Sequence, residues 1–338
     1  MTIVRKRSVE RYALVTPARD EAANLARVAK AIASQTVLPS AWVIVENGSR
    51  DETLDVARSL EELLDWVTVV VSTKDRSGLR GGQEALAFTD GLAALGEPAD
   101  VVVKLDADVS FEQEFFERLL DRFTADPELG IASGVCLEQH EDGEWRPIYT
   151  SRAHARGATR AYRSACLEDV LPLEADSAWD TVDELKAKAA GWTTATFRDI
   201  PFYHHRKLGT RDGSRRAWID QGRMAYYTGY RPSYVVGRAV FRSLREPMAL
   251  ASLAGYAGAL IRRDAQCSDP GARRILRDEQ RLRHLVTRLK ESGGRAGGDA
   301  VGVRVQDNRP EPEQQEEHIR NLDEREGVEG KHADTEGR

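Results

Sequence analysis

Val101-Val102-Val103-Lys104-Leu105-Asp106-Ala107-Asp108-Val109-Ser110 is the stretch from which the fold can be read. An apolar run ahead of two aspartates fits a strand buried on both faces. The patterned segment 111–123 behind it predicts a helix, so Asp106 and Asp108 stand at the exit of the strand. Open α/β sheets bind their ligands at that end. Two carboxylates separated only by Ala107 can turn toward one hard divalent cation and leave positions free for phosphate oxygens. An isolated pair of this kind is too short to decide, because Asp also caps a following helix. The surrounding chain decides.

Residues 12–16 read as a buried strand, and Pro17-Ala-Arg-Asp20 turns the chain into a helix with Leu25, Val28 and Ile32 on its apolar face. The pattern then repeats. Residues 43–45 are a strand, Asn47-Gly48-Ser49 a turn, and Asp51 a cap for a helix reaching Leu64. Residues 67–71 predict a third strand, 81–95 a helix, and 100–105 the fourth strand. Strand alternating with helix argues for βαβ units and a mostly parallel sheet flanked by helices. Right-handed crossovers bring the loops 17–21, 46–51, 78–83 and 106–108 to one edge, where a nucleotide fits. No G-x-G-x-x-G follows the first strand and no Walker lysine motif occurs, which excludes the common dehydrogenase and P-loop readings.

Composition sets the class. Hydrophobic residues at 41% and charged residues at 31% describe a core-forming chain, and 338 residues suffice for one large domain or two moderate ones. The net charge of -6 comes mostly from an acidic C-terminal stretch and does not favour a nucleic-acid partner. Cys136, Cys166 and Cys267 are widely spaced and lack metal-ligand spacing, which fits reduced thiols in a cytoplasmic setting. The N-terminus is basic and lacks a secretory apolar core, and the apolar run 248–261 is too short to span a bilayer.

Thr16-Pro-Ala-Arg-Asp-Glu-Ala-Ala-Asn-Leu25, Val45-Glu-Asn-Gly-Ser-Arg-Asp-Glu-Thr53, the Gly-rich segment before the fourth strand and Leu105-Asp-Ala-Asp108 resemble, in this order, the family 2 glycosyltransferases of the GT-A fold. The resemblance covers roughly residues 1–210. It implies a nucleotide-sugar glycosyltransferase domain with a Rossmann-like sheet. It implies that Pro17, Arg19 and Glu21 lie along the nucleotide, that Glu46 or Asn47 reads its base, and that Arg80 and Gly81 approach the nucleotide or its sugar. Asp106 and Asp108 would meet ribose and a divalent metal, Mn or Mg. The family usually carries two acids where this chain has Glu46-Asn47, although an Asn side chain still offers a donor and an acceptor.

Residues 131–137 and 146–150 read as further strands, followed by a short helix near 166–171 and a strand, taken as an edge, at 193–197. Arg160, Tyr162 and Arg163 suit either an anionic substrate group or a solvated strand edge. In Trp179-Asp-Thr-Val-Asp-Glu-Leu185, a helix places Asp180, Asp183 and Glu184 on one face. Like charges so close raise one another's pKa, which suits a general base. The resemblance puts the base at Asp180, with Asp183 as the fallback. His204 and His205, ahead of Arg206-Lys207, offer an imidazole to a metal and cations to a diphosphate, and spacing does not choose between the two histidines.

From residue 211 to 291 the chain reads as a basic amphipathic helical region. Arg238, Arg242 and Arg245 stand opposite Val236, Val240 and Leu244, and a second apolar stripe runs through 271–291. Arginines beside aromatic and apolar surface fit either the inner face of a membrane or a helical subdomain packed on the core. Residues 292–338 are acidic, poor in aromatics and expected to be disordered. The whole predicts a metal-dependent, inverting transferase moving sugar from a nucleotide-diphosphate donor to an acceptor hydroxyl, lipid-linked or in a cell-envelope glycan. Nucleotidyl transfer, or a non-catalytic nucleotide-sugar-binding scaffold at a membrane, are the alternatives.

Overall fold

The computed structural model describes residues 11–72, 80–96, 99–148, 153–175, 178–206, 214–244 and 246–281. The expected tail 292–338, the apolar stripe beyond 281, Lys207 and Arg245 lie outside the described residues. In chain order the first half runs β1 (Tyr12–Ala18), α1 (Ala22–Ala33), β2 (Ala41–Glu46), α2 (Thr53–Leu63), β3 (Val67–Val71), α3 (Arg80–Ala94), β4 (Val101–Leu105), β5 (Val109–Phe111) and α4 (Phe115–Ala125). The second half runs β6 (Leu129–Gln139), β7 (Trp145–Pro147), β8 (Thr159–Arg163), α5 (Ser164–Val170), α6 (Trp179–Ala189) and β9 (Thr193–His204). Helices α7 (Ser214–Tyr227), α8 (Pro232–Ser243), α9 (Ala251–Arg262) and α10 (Pro270–Glu279) follow.

The strands form one sheet in the order β3-β2-β1-β4-β8-β6-β9-β5, with β7 hydrogen-bonded to β6. The first four are parallel, as βαβ alternation requires. Beyond β4 the sheet is mixed: β8 runs antiparallel to β4, β6 antiparallel to β8, and β9 parallel to β6. Strand β9 is an edge only in its first half, since its end is enclosed between β6 and β5.

The chain behind the two aspartates departs from the expected helix. Val109-Ser110-Phe111 alternates apolar and polar residues and pairs with β9, with Val109 opposite His204, so α4 begins only at Phe115. That short strand brings the end of β9 to the aspartates.

Alternation along the strands divides the core in two. Leu14, Ile44, Val101 and Val103 pack against α1 and α4 through Leu25, Val28, Phe116 and Leu119. Val15, Val43, Val45 and Val102 pack on the opposite face with Ala85 and Phe88 of α3 and with Cys166 and Trp179. A smaller cluster joins Val182 and Leu185 of α6 to Cys267, Ala272 and Leu276, which fastens α10 to the sheet-bearing part. All three cysteines are buried and unbridged. No helix among the described residues is long and apolar enough to cross a membrane.

Helix α3 lies so close to the sheet that a Cβ at Gly91 would stand 2.3 Å from Val15 Cγ1 and 2.9 Å from Val45 Cγ2. Both valines are β-branched and buried, so neither can turn aside. Gly91→Ala is expected to destabilise the fold by about 1–3 kcal/mol despite the better helix propensity of Ala. Urea unfolding checks this, and a neutral or stabilising result would show that α3 can lift off the sheet without loss.

Candidate active site

Residues 102, 104 and 106 alternate onto one face, so Lys104 sits on the second core face just beneath the exit loop. Lys104 is 1% exposed. Its ammonium bonds the carboxylates of Asp106 and, at 3.4 Å, Glu84 from the first turns of α3, and lies 5.6 Å from the centroid of the Trp179 ring. Burial pulls the lysine pKa down, but Asp106 and Glu84 outweigh it and hold it above its ordinary value. Glu84 keeps 46% of its side chain exposed toward the loop edge. Its carboxyl is raised by desolvation, against the pull of Lys104, with Asp106 and Asp180 adding to the rise.

The backbone fixes the aspartate loop at both ends. Asp106 N–H donates to the Ala158 carbonyl at 2.9 Å, and His205 N–H donates to the Asp108 carbonyl at 2.9 Å. Asp106, Asp108 and His204 converge, each offering a ligand atom within 4.8 Å of the others. His204 Nε2 is 3.4 Å from Asp108 Oδ1, and Arg206 Nε is 3.4 Å from Asp108 Oδ2. Burial pushes the Asp108 carboxyl up, but His204, Arg206 and Lys104 outweigh it and hold it below the usual carboxylate range. His205 points elsewhere. Its ring stacks edge-on to Trp145 at 5.4 Å with Nε2 2.8 Å from Ser110 Oγ, and burial with Arg27 pushes it down to about 4. The metal role expected of either histidine therefore has only His204 in position.

The loops after β1 and β2 are stitched together. Asp20, at φ 55°, donates its N–H to Ser49 Oγ at 3.1 Å, and Arg50 N–H donates to Asp20 Oδ1 at 2.7 Å. Glu21 N–H donates to Thr53 Oγ1 at 2.8 Å. Asp51 accepts from Ala22 N–H at 3.2 Å and from Thr53 N–H at 3.1 Å, so it ties the two helix starts together from one residue ahead of the cap position, which is Glu52 and not Asp51 as expected. Glu46 and Asn47 are buried, with the Glu46 carboxylate accepting from the Ser49 N–H. Glu21 is ion-paired with Arg206, which links these loops to Asp108. Pro17 ends up inside β1 and Arg19 is exposed. Arg80 and Gly81 open α3.

The acidic helix start behaves differently from the single acidic face that spacing implies. Asp183 and Glu184 turn inward to Arg160, which is fully buried on β8. Arg160 donates to Asp183 at 2.6 and 2.9 Å, to Glu184 at 3.3 Å and to the Asp180 carbonyl at 2.7 Å. Burial pushes the Asp183 carboxyl up to about 6 against the pull of Arg160. Glu184 is also pushed up by burial but is held below its usual range by Arg160 and His154. Asp180 remains half-exposed in the first turn of α6, opposite Gly157, where a Cβ would lie 3.9 Å from Oδ2. Asp183, the fallback base, is 1% exposed and committed to Arg160 and Tyr162. Arg160 and Tyr162 are thus neither a solvated edge nor free for an anion, and Arg163 holds the carbonyls of Phe123 and Leu129. Lys104, Glu84 and His154 escaped the sequence reading. Only an unexpected Lys in a valine run pointed to the first of them.

Residues 13–171 match the model for glycosyl transferase family 2. Among solved structures, the mannosyltransferase PcManGT from Pyrobaculum calidifontis, in complex with GDP-Man and Mn2+, is similar at 18% identity and TM-score 0.50, covering 83% of this chain and 84% of that one. The 1–349 segment of TarS from S. aureus aligns at 15% identity and TM-score 0.48, over 75% of this chain and 72% of that one. No curated protein matches the chain. The chain carries a family 2 glycosyltransferase domain of GT-A fold and is a glycosyltransferase.

Arg160→Met leaves two buried carboxylates without their cation, so a loss of roughly 3–5 kcal/mol is expected in urea unfolding at neutral pH. The loss should shrink toward pH 5. Without Arg160 the folded Asp183 carboxyl rises further above its unfolded value of about 3.9, so the folded state binds more protons and gains stability as pH falls. A deficit that stays constant or grows on acidification would contradict the pairing.

Proposed function

We propose that this glycosyltransferase moves a sugar from a nucleotide-diphosphate donor to an acceptor hydroxyl with inversion, in a metal-dependent reaction. The observation that carries the reading is the convergence of Asp106, Asp108 and His204 at one end of a site that has Asp180 at the other. Two carboxylates and one imidazole on a buried floor fit a divalent cation such as Mn or Mg, with further positions left for phosphate oxygens. A cation bound there would offset charge on the departing diphosphate. Asp180 accepts the acceptor proton as its oxygen attacks the anomeric carbon opposite the leaving group. Asp183 positions the base helix through Arg160 and does not reach substrate.

Pro17, Arg19 and Glu21 line the nucleotide, Glu46 and Asn47 meet its base, and Arg80 and Gly81 lie beside the phosphates or sugar. Arg206 draws the late strand over the diphosphate and excludes water. That PcManGT is a complex with GDP-Man and Mn2+ supports a donor of this chemistry.

Another surface supports a reading of acceptor and location. Val236, Val240 and Phe241 of α8 and Leu244 just behind it are 50–79% exposed on adjoining turns, while the guanidinium groups of Arg238 and Arg242 lie over the rings of Tyr230 and Trp218. An apolar face bordered by arginines suits the anionic inner face of a membrane, hence a lipid-linked acceptor or envelope glycan precursor. The unbridged cysteines agree with a cytoplasmic position there.

Asp106→Ala with Asp108→Ala should abolish metal-dependent release of nucleoside diphosphate from UDP- and GDP-sugars. Asp180→Asn should lower kcat about 10²–10⁴-fold with donor binding intact. Pyrophosphate as product would instead establish nucleotidyl transfer, and donor binding without turnover in wild type would establish a scaffold. In flotation with phosphatidylglycerol vesicles, Phe241→Glu with Leu244→Glu should release the protein into the soluble fraction. Unchanged flotation would remove the membrane assignment.

A further inference from the structure

Glu84 has no place in the roles above, yet it stands in the middle of the site. Lys104 holds its Oε2 at 3.4 Å, bonds Asp106 on its other side, and underlies Trp179, the residue before Asp180. The carboxylate therefore lies between the diphosphate end and the base end. Attack opposite the leaving group requires the donor sugar ring to occupy that span, with its anomeric carbon facing Asp180. From this geometry, and resting on the proposed glycosyl transfer, we propose that Glu84 is a specificity-determining residue that accepts a hydrogen bond from a hydroxyl of the donor sugar. Oε2 is occupied by a lysine that is 1% exposed, whereas the side chain keeps 46% of its surface open, so Oε1 is the oxygen available to the sugar. A fixed carboxylate beside Asp106 and Asp180 also rejects an anionic sugar. The substrate class is a neutral, hydroxyl-bearing hexose, and uronic-acid donors are disfavoured.

The alternative for Glu84 is a purely structural counter-charge to Lys104, and the two roles separate in binding. Titration calorimetry with Mn²⁺ would compare wild type, Glu84→Gln and Glu84→Ala toward UDP, GDP, their neutral hexose conjugates and UDP-glucuronate. The result expected is nucleoside-diphosphate affinity within twofold of wild type in both variants, with affinity for the preferred neutral donor down at least tenfold in Glu84→Ala. In Glu84→Gln, which keeps an acceptor oxygen, discrimination against UDP-glucuronate should fall at least tenfold while the neutral donor loses less. Lys104 retains Asp106 in both variants, so melting temperatures monitor folding alongside. Unchanged donor affinity and unchanged glucuronate discrimination would overturn the assignment, as would an equal loss of nucleoside-diphosphate binding, which marks a structural role. Failure of wild type to bind any donor would overturn the transferase reading and this one with it. Donor binding by wild type with unaltered variants overturns this one alone.

Discussion

Lys104 on β4 and Arg160 on β8 are register partners in an antiparallel pair, both fully buried, and everything chemical in this protein depends on neutralising them. Like charges directly opposite one another oppose strand pairing, and burial adds a desolvation cost for each. The sheet forms because carboxylates arrive from elsewhere: Asp106 and Glu84 for Lys104, Asp183 and Glu184 for Arg160. Trp179 lies over both cations, with its ring centroid 5.6 Å from Lys104 Nζ and 5.9 Å from the Arg160 guanidinium carbon. Buried ion pairs are poor sources of stability, since an apolar replacement of both partners often does as well. Their use here is geometric. They lock the exit loop, the start of α3 and the start of α6 to one pair of strands.

That locking couples the two ends of the site. Arg160 donates to the Asp180 backbone carbonyl, so the same guanidinium that neutralises Asp183 sets the position of the proposed base. Lys104 does the same for Asp106. A shift of β8 against β4 would move Asp180 relative to Asp106, so the register of these two strands sets the spacing that the proposed in-line transfer requires. On the opposite flank, Arg206 joins Asp108 to Glu21 and so ties the end of β9 to the loop after β1.

The parallel half of the fold was legible because each of its strands is an apolar run followed by turn residues and a patterned helix, and the carboxylates at its exit were legible from position alone. The faces of the late residues were not. Between Phe197 and Pro201 strand β9 slips against β6, so that Thr194 pairs with Ile131 but Phe202 pairs with Cys136. Ile131 belongs to one core face, Cys136 and Phe202 to the other, and counting alternation along 193–204 therefore misplaces the end of the strand. The irregularity is held by Arg118 and Arg122, both ion-paired with Asp199, a contact 77 or more residues apart in sequence. For the same reason His204 and His205 could not be told apart. Asp183 and Glu184 read as one acidic face with Asp180 because nothing local reveals that Arg160 waits behind them.

These long-range dependences define the smallest functional piece. The family match ends at residue 171, and within it stand Asp106, Asp108, Lys104 and Arg160. Cut there, Arg160 would be buried without Asp183 or Glu184, and the site would lack both Asp180 and His204. Strand β9 is then more than an extension of the sheet. By pairing with β5 it delivers His204 to Asp108, and by pairing with β6 it joins that corner to the mixed half of the sheet. Helix α6 in turn is held from outside by α10 through the cluster of Val182, Leu185, Cys267 and Leu276 and by the Lys188–Glu279 pair at 3.1 Å. The position of the proposed base thus depends on contacts beyond the matched segment, out to residue 279, and α10 is joined to α6 by the same chain of contacts that starts at Arg160.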